Sequence, residues 1–340
     1  MAQTTTDTGR APVAKSRITA LDVLRGIAII GIIPVNVQAI SDWGYGIDEP
    51  PLRELGWADY FIDLLITGRM MPLFALLFGV GFELFLSSAG RRTERPRLVM
   101  LRRLVFLLLV GALHLTVYQG EVLTFYALGA IIFLLPMSFA PRWVVAAAAV
   151  VLMVVTAPIS GPIKLPGLFL AGAAIARYDV IGRFQEKASA LWASFAAFFV
   201  AAAVAVYLQL PEVGMGDFSK VGRVAGVLIM FTLSLGVLLL MRSAPVARAL
   251  EVLFAPLGRM AFSNYLGTTA LVSLFGLAIG AEQLEWYPEY GLYVAAVIAP
   301  VLWLFSTLWL KHFAYGPLEW VWRTATWWKP QPMRKLQLAA

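Results

Sequence analysis

Residues 18–40 read ITALDVLRGIAIIGIIPVNVQAI. Asp22 and Arg25 are the only charges in this run. At about 1.5 Å of rise per residue, a helix of this length crosses a hydrocarbon core about 30 Å thick. A helix apolar on every side needs lipid or other helices around it. Nine further stretches read the same way, at 69–89, 98–118, 121–140, 142–158, 163–178, 188–210, 221–241, 259–280 and 290–312. The reading is an all-α, polytopic transmembrane helix bundle of ten spans. Residues 57–68, WADYFIDLLITG, are amphipathic and precede Arg69, and they read as an interfacial helix lying on the membrane. The alternative is that they extend the second span.

Composition agrees. Hydrophobic residues make up 60% of the chain and charged residues 14%, against roughly 25% charged in a soluble domain. Mean hydropathy is +0.78. A soluble globule, a disordered chain and a fibrous repeat are excluded. The absence of cysteine excludes disulfides, thiolate metal sites and cysteine nucleophiles. Two histidines exclude a three-histidine zinc site, and no metal is expected.

Basic residues favour the cytoplasmic face. With the N-terminus inside, the cluster Arg91, Arg92, Arg95, Arg97, Arg102 and Arg103 falls inside, and Arg53, Lys164, Lys220 and Arg223 fall outside. The first outer loop carries Asp42, Asp48, Glu49, Glu54 and Asp59, and the last carries Glu282, Glu285 and Glu289. Both termini are therefore read as cytoplasmic, and the net charge of +7 needs no nucleic acid. The domain layout is a disordered N-terminus at 1–16, one transmembrane domain at 17–315 and a cytoplasmic tail at 316–340. There is no cleavable signal peptide pattern, and no internal repeat of the kind that builds inverted-repeat transporters.

Ionisable groups in a bilayer are costly, so each is a functional candidate. Asp22 and Arg25 sit three apart and share a helix face. With Glu83 at a similar depth they form a structural ion-pair triad, or else Arg25 receives an anionic ligand from the cytoplasm. Asn36 either bridges helices or holds a substrate carbonyl. His114 lies one turn from the outer end of the third span, and Glu121 follows after Gly120. A hairpin there joins an imidazole to a carboxylate that fixes its tautomer, which is what a general base needs. Arg69 opens the second span at the same level and completes a cluster with Asn36, His114 and Glu121, or snorkels to the interface.

Six segments carry a resemblance: RITALDVLRGIAIIGIIPVN (17–36), RMMPLFALLFGVGFELF (69–85), HLTVYQGEVLTFYALGA (114–130), GLFLAGAAIARYDVIG (167–182), GRMAFSNYL (258–266) and GPLEWVWR (316–323). Together they resemble the YeiB-type family of bacterial membrane proteins, over nearly the whole chain. That family is similar to a wider group of transmembrane acyltransferases, through D-x-x-R-G and a following asparagine: Asp22, Arg25, Gly26 and Asn36. The resemblance implies a bacterial inner-membrane enzyme using acetyl-CoA or another acyl-CoA as co-substrate. Asn36 matches the group's asparagine and His114 the histidine of the family's hairpin. Glu121 stands where the family usually carries aspartate, and no histidine lies between Asn36 and His114.

On this reading Arg25, Arg102, Arg103 and Arg259 hold the phosphates of CoA, His114 deprotonates an acceptor, and Asn36 stabilises the developing oxyanion. Expected partners are the lipid bilayer and a glycan or small-molecule acceptor; a homo-oligomer is left open. The competing function is a proton-coupled exporter, using the His–Glu pair and a helix break at Gly68–Pro72.

Overall fold

The computed structural model describes residues 10–47 and 54–335. Asp48, Glu49 and Arg53 of the first outer loop, and the two chain ends at 1–9 and 336–340, lie outside the described residues. Among the described residues every regular element is helical, and the only bridge is an isolated one between Phe313 and Arg334.

The helices run in chain order as α1 (Arg10–Ser41), α2 (Trp57–Leu65), α3 (Met70–Gly90), α4 (Pro96–His114), α5 (Leu123–Gly129) and α6 (Leu135–Met137). They continue as α7 (Arg142–Thr156), α8 (Leu165–Arg177), α9 (Val180–Glu186), α10 (Ala188–Gln209) and α11 (Lys220–Leu240). The last four are α12 (Ala244–Arg259), α13 (Ala261–Ile279), α14 (Pro288–His312) and α15 (Pro317–Trp327). A π-helical turn at Ala130–Leu134 joins α5 to α6. α1 begins within the stretch read as a polar N-terminal segment.

Six of these helical stretches are long and apolar enough to cross a membrane, and seven if α8 and α9, bent by 51°, form one broken span. They cover the first, second and seventh to tenth of the expected segments, and the broken pair covers the sixth. The other three expected segments are also helical. Their shortfall is physical: α7 has 15 residues, about 22 Å of helix, and α4 carries Arg97, Arg102 and Arg103. α2 and α3 together form one apolar stretch of 34 residues, interrupted at Ile66–Arg69 where Gly68 is left-handed. At about 1.5 Å per residue that stretch exceeds the hydrocarbon thickness.

Beyond the short α9, two helices lie outside the expected spans. α12 falls in an expected inner loop, and α15 falls in the tail. Both are amphipathic rather than apolar: α12 packs along α1, and α15 packs against α4.

Two helix crossings set the architecture. At the α1–α12 crossing, a methyl group on Gly26 would collide with the Phe254 carbonyl, and one on Gly258 with the Asp22 carbonyl. At the α3–α8 crossing, Gly79 lies against the Phe169 carbonyl and Gly172 against the Leu76 carbonyl. Each crossing is reciprocal, with one glycine from each helix. Lipid supplies no hydrophobic drive between helices, so close backbone approach through small residues carries the packing. Leu73, Leu76, Leu77, Phe169 and Leu170 then fill the core around the second crossing. A second core joins the far half of α1 to α13 and α14, where Trp43 stacks on Tyr290 at 5.1 Å.

Replacing Gly26, Gly258, Gly79 or Gly172 by alanine should each cost about 1–3 kcal/mol, the usual penalty for overpacking. Gly90→Ala is the control, because nothing lies within 4 Å of its would-be methyl. Thermal unfolding in detergent measures this; equal midpoints for Gly79→Ala and Gly90→Ala would refute the assignment.

Candidate functional site

A cavity of about 460 Å³ runs between α1, α3, α4, α5, the end of α12, α13 and α15. One end is basic. Arg25 of α1, Arg103 of α4, Arg259 at the end of α12 and Arg323 of α15 all line it. The middle is apolar, walled by Ile29 and Ile32 of α1, Phe74, Leu77 and Phe78 of α3, and Leu104 and Leu107 of α4. Tyr126 and Tyr265 line its inner part.

The basic end is held in place by its neighbours. Arg25 donates to Asp22 at 2.9 Å, one turn back on the same helix. Arg103 stacks over the Trp322 ring at 3.5 Å, and the Trp322 indole N–H donates to the Arg103 carbonyl at 2.9 Å. Arg323 lies over Tyr315 at 4.7 Å, and its buried Nε has no hydrogen-bond partner. The carboxylate among the lining residues is Glu319. It accepts the backbone N–H groups of Phe262 and Ser263 at 2.8 and 3.0 Å and the Ser263 hydroxyl at 2.5 Å. It thereby satisfies donors that the first turn of α13 leaves open. Burial pushes the Glu319 carboxyl above the usual carboxylate range, while the hydrogen bonds from Ser263 and Phe262 pull it back.

His114 and Glu121 come together behind the tyrosines. His114 is 7% exposed and Glu121 1%. The Nδ1 of His114 lies 3.8 Å from a Glu121 oxygen, ion-pair distance and longer than a hydrogen bond, and Nε2 lies 3.0 Å from the Thr269 hydroxyl. Glu121 is fixed by the backbone N–H groups of Leu123 and Thr124 at the start of α5. The imidazole sits between two rings, Tyr118 at 5.9 Å and Tyr265 at 5.4 Å, both edge-on. His114 itself does not line the cavity; Tyr265 does. Tyr126 lines the same end and donates to the Met71 carbonyl at 3.0 Å.

The other expected residues go elsewhere. Asn36 is partly exposed and makes no side-chain hydrogen bond among the described residues. Its spacing places it on the Arg25–Ile29–Ile32 stripe of α1, one turn past Ile32. Arg69, 2% exposed, donates to the Thr67 carbonyl and to the Gln209 side chain at 2.6 Å. Gln209 in turn donates to the Asp63 carbonyl at 3.1 Å, so Arg69 belongs to a network tying α2 and the break before α3 to the end of α10. Arg102 lies over Trp328 at 5.2 Å, off the cavity. Glu83 does not complete a triad with Arg25: Arg177 of α8 holds it, at 2.6 and 2.8 Å. The same guanidinium reaches the Ala140 and Met137 carbonyls, which anchors the α6–α7 turn. Among the described residues no three of His, Asp and Glu converge as metal ligands would.

Sequence reasoning passed over Tyr265, Glu319, Trp322 and Arg323. All four sit in segments already singled out, GRMAFSNYL and GPLEWVWR. The signal was the pairing of those segments, since Glu319 of one caps the helix that carries Tyr265 of the other.

Comparison with known proteins bears on the whole chain. A family described as "Protein of unknown function (DUF418)" matches residues 175–329. An uncharacterized 39.9 kDa protein from the amylase 3′ region of Bacillus acidopullulyticus is 30% identical, over 91% of this chain and 94% of the relative. The uncharacterized protein YxaH of Bacillus subtilis (strain 168) is 26% identical, over 94% and 96% of the two chains. The uncharacterized protein YeiB of Escherichia coli (strain K12) is 26% identical, over 91% and 96%. No solved structure matches.

Glu319→Ala should leave two backbone donors and a hydroxyl unsatisfied and cost about 1–3 kcal/mol, with Glu319→Gln, which keeps an acceptor, costing less. Thermal unfolding reads both. Equal losses for the two variants would show that the cap contributes little.

Proposed function

This chain belongs to the YeiB-type family of proteins of unknown function, and for this member we propose an integral-membrane acyltransferase. The observation that carries the reading is the cavity: one space joins four arginines to the tyrosine that covers a His–Glu pair. The donor is an acyl-CoA, acetyl-CoA in the simplest case, with its phosphates at Arg25, Arg103, Arg259 and Arg323. Phosphate in hydrocarbon is prohibitively costly, so the charged part stays at the basic end and only the neutral acyl end travels inward. Asp22 orients Arg25.

In the proposed step the acceptor oxygen or nitrogen bonds to the acyl carbon and the carbon–sulfur bond breaks. The proton lost by the acceptor passes through His114 to the departing thiolate. Glu121, fixed by two backbone N–H groups, stabilises the imidazolium that forms in between. Asn36 stands at the end of the same α1 stripe, where a carbonyl oxygen gains charge. Arg69 and Arg102 take structural parts. The acceptor is a glycan or small molecule at the outer side of the membrane.

The proposed setting is the bacterial inner membrane, crossed ten times, with both termini in the cytoplasm and α2 along the outer surface. The arginine-rich turn between α3 and α4 supports that orientation, as does the acidic loop between α13 and α14. The chain has no cysteine, so single cysteines report topology cleanly. A cysteine at Glu285 should label from outside intact cells, and one at Thr93 should not; the opposite pattern would invert the bundle.

The chemistry is tested by binding and turnover together. Acyl-CoA should raise the thermal midpoint of the purified protein. His114→Ala should keep that shift but lose CoA release in membrane vesicles by roughly 10²–10⁴-fold. Arg25→Ala should weaken the shift. If no acyl-CoA bound while an ion gradient drove solute flux in liposomes, the exporter would replace the enzyme.

A further inference from the structure

The cavity's middle section has a chemistry of its own. Between the arginines and the tyrosines, every lining side chain is hydrocarbon or thioether. The surrounding backbone is helical, so its N–H and C=O groups are already committed to one another. A ligand segment with amides in this section would have to bury them unpaired, which is costly. A pantetheine arm carries two amides, so it fits poorly here; a hydrocarbon chain fits without penalty.

Size points the same way. The cavity, at about 460 Å³, is many times the size needed to hold a single water. An acetyl thioester fills a small part of that. The distance from Arg25 to Ile32 along α1 is about 10 Å of helix, and both residues line the cavity. The other end carries an excess of positive charge. Four arginines face one lining carboxylate, Glu319, whose oxygens already serve the first turn of α13, and Asp22, which pairs with Arg25 and also acts on Arg259, sets a single negative charge against those two.

We infer that the cavity's ligand is a phosphate-bearing amphiphile, its anionic headgroup on Arg25, Arg103, Arg259 and Arg323 and its hydrocarbon chain in the section walled by Ile32, Phe74 and Leu107. Two sources supply that chemistry. One is a long-chain acyl thioester of CoA, which rests on the acyltransferase reading, keeps its pantetheine arm at the polar basic end and sends only its acyl chain into the apolar section. The other is a phosphate-headed lipid, which does not rest on it.

The full-length protein in phosphatidylcholine nanodiscs tests this with four probes: butyl phosphate, dodecyl phosphate, acetyl-CoA and lauroyl-CoA. Dodecyl phosphate should bind at least about 10²-fold more tightly than butyl phosphate, since each buried methylene adds severalfold. Ile32→Trp should abolish that chain-length gain while leaving butyl phosphate binding intact, which separates the cavity from simple partition into the bilayer. Arg259→Gln with Arg323→Gln should weaken both alkyl phosphates. If Ile32→Trp does not fold, Leu107→Phe with the same chain-length series takes its place.

The outcomes separate the two readings. Lauroyl-CoA binding well above acetyl-CoA, with the gain lost in Ile32→Trp, supports the inference and names the acyl donor. Dodecyl phosphate binding with neither CoA ester bound supports the inference and removes the acyl-CoA reading. Equal binding of acetyl- and lauroyl-CoA, with dodecyl and butyl phosphate also equal, overturns the inference and leaves the acyltransferase standing. A chain-length gain unchanged in the filled-cavity variant overturns the inference as well. If none of the probes binds, both fall.

Discussion

The close contact of Gly26 and Gly258 governs the rest of the molecule. Two helix backbones touch there without side chains between them. Gly26 follows Arg25 directly, and Gly258 precedes Arg259 directly. The crossing therefore brings two cations to one place, at a depth where each alone would be costly. The α3–α8 crossing acts in the same way on the opposite wall. Gly79 and Gly172 draw α3 back, and Phe74, Leu77 and Phe78 are left facing the space between α3 and α1. Small residues at these contacts create the room that large ones line.

Much of the fold was legible because hydropathy is additive along a helix. The segments at 18–40, 188–210, 221–241 and 290–312 needed only length and apolarity. α12 and α15 were not legible in that way, since each buries one face against another helix and keeps a polar one. The amphipathic pattern in ARALEVLFAPLGR carries the information, but a window tuned to spans averages it out. The count of spans met a similar limit. α7 and the α5–α6 pair are apolar and helical, yet shorter than a bilayer core, and composition alone does not say how a short helix meets lipid.

The candidate site divides along the same line. His114 and Glu121 were readable because seven residues and a glycine break force them close. Arg25 with Asp22 was readable from helical spacing. Arg69 misled, because its partner, Gln209, is 140 residues away and an ordinary uncharged residue. Glu83 misled for a related reason: several arginines suited its depth, and the fold chose Arg177 through the α3–α8 crossing. Tyr265 was hidden in plain view, since a tyrosine in an apolar helix looks like packing until its ring is seen to line the cavity and lie edge-on to His114.

The position of α15 carries a consequence for biosynthesis. It spans Pro317–Trp327, after the last of the membrane-crossing helices, yet it supplies Glu319, Trp322 and Arg323 to the cavity. Only residues 313–316 separate it from α14, so every apolar segment is synthesised just ahead of it. Until α15 docks, the cavity lacks one wall, Arg103 lacks the ring it rests on, and the first turn of α13 lacks its cap. A product truncated just before Pro317 would therefore keep every apolar segment while its cavity stood open on the α15 side.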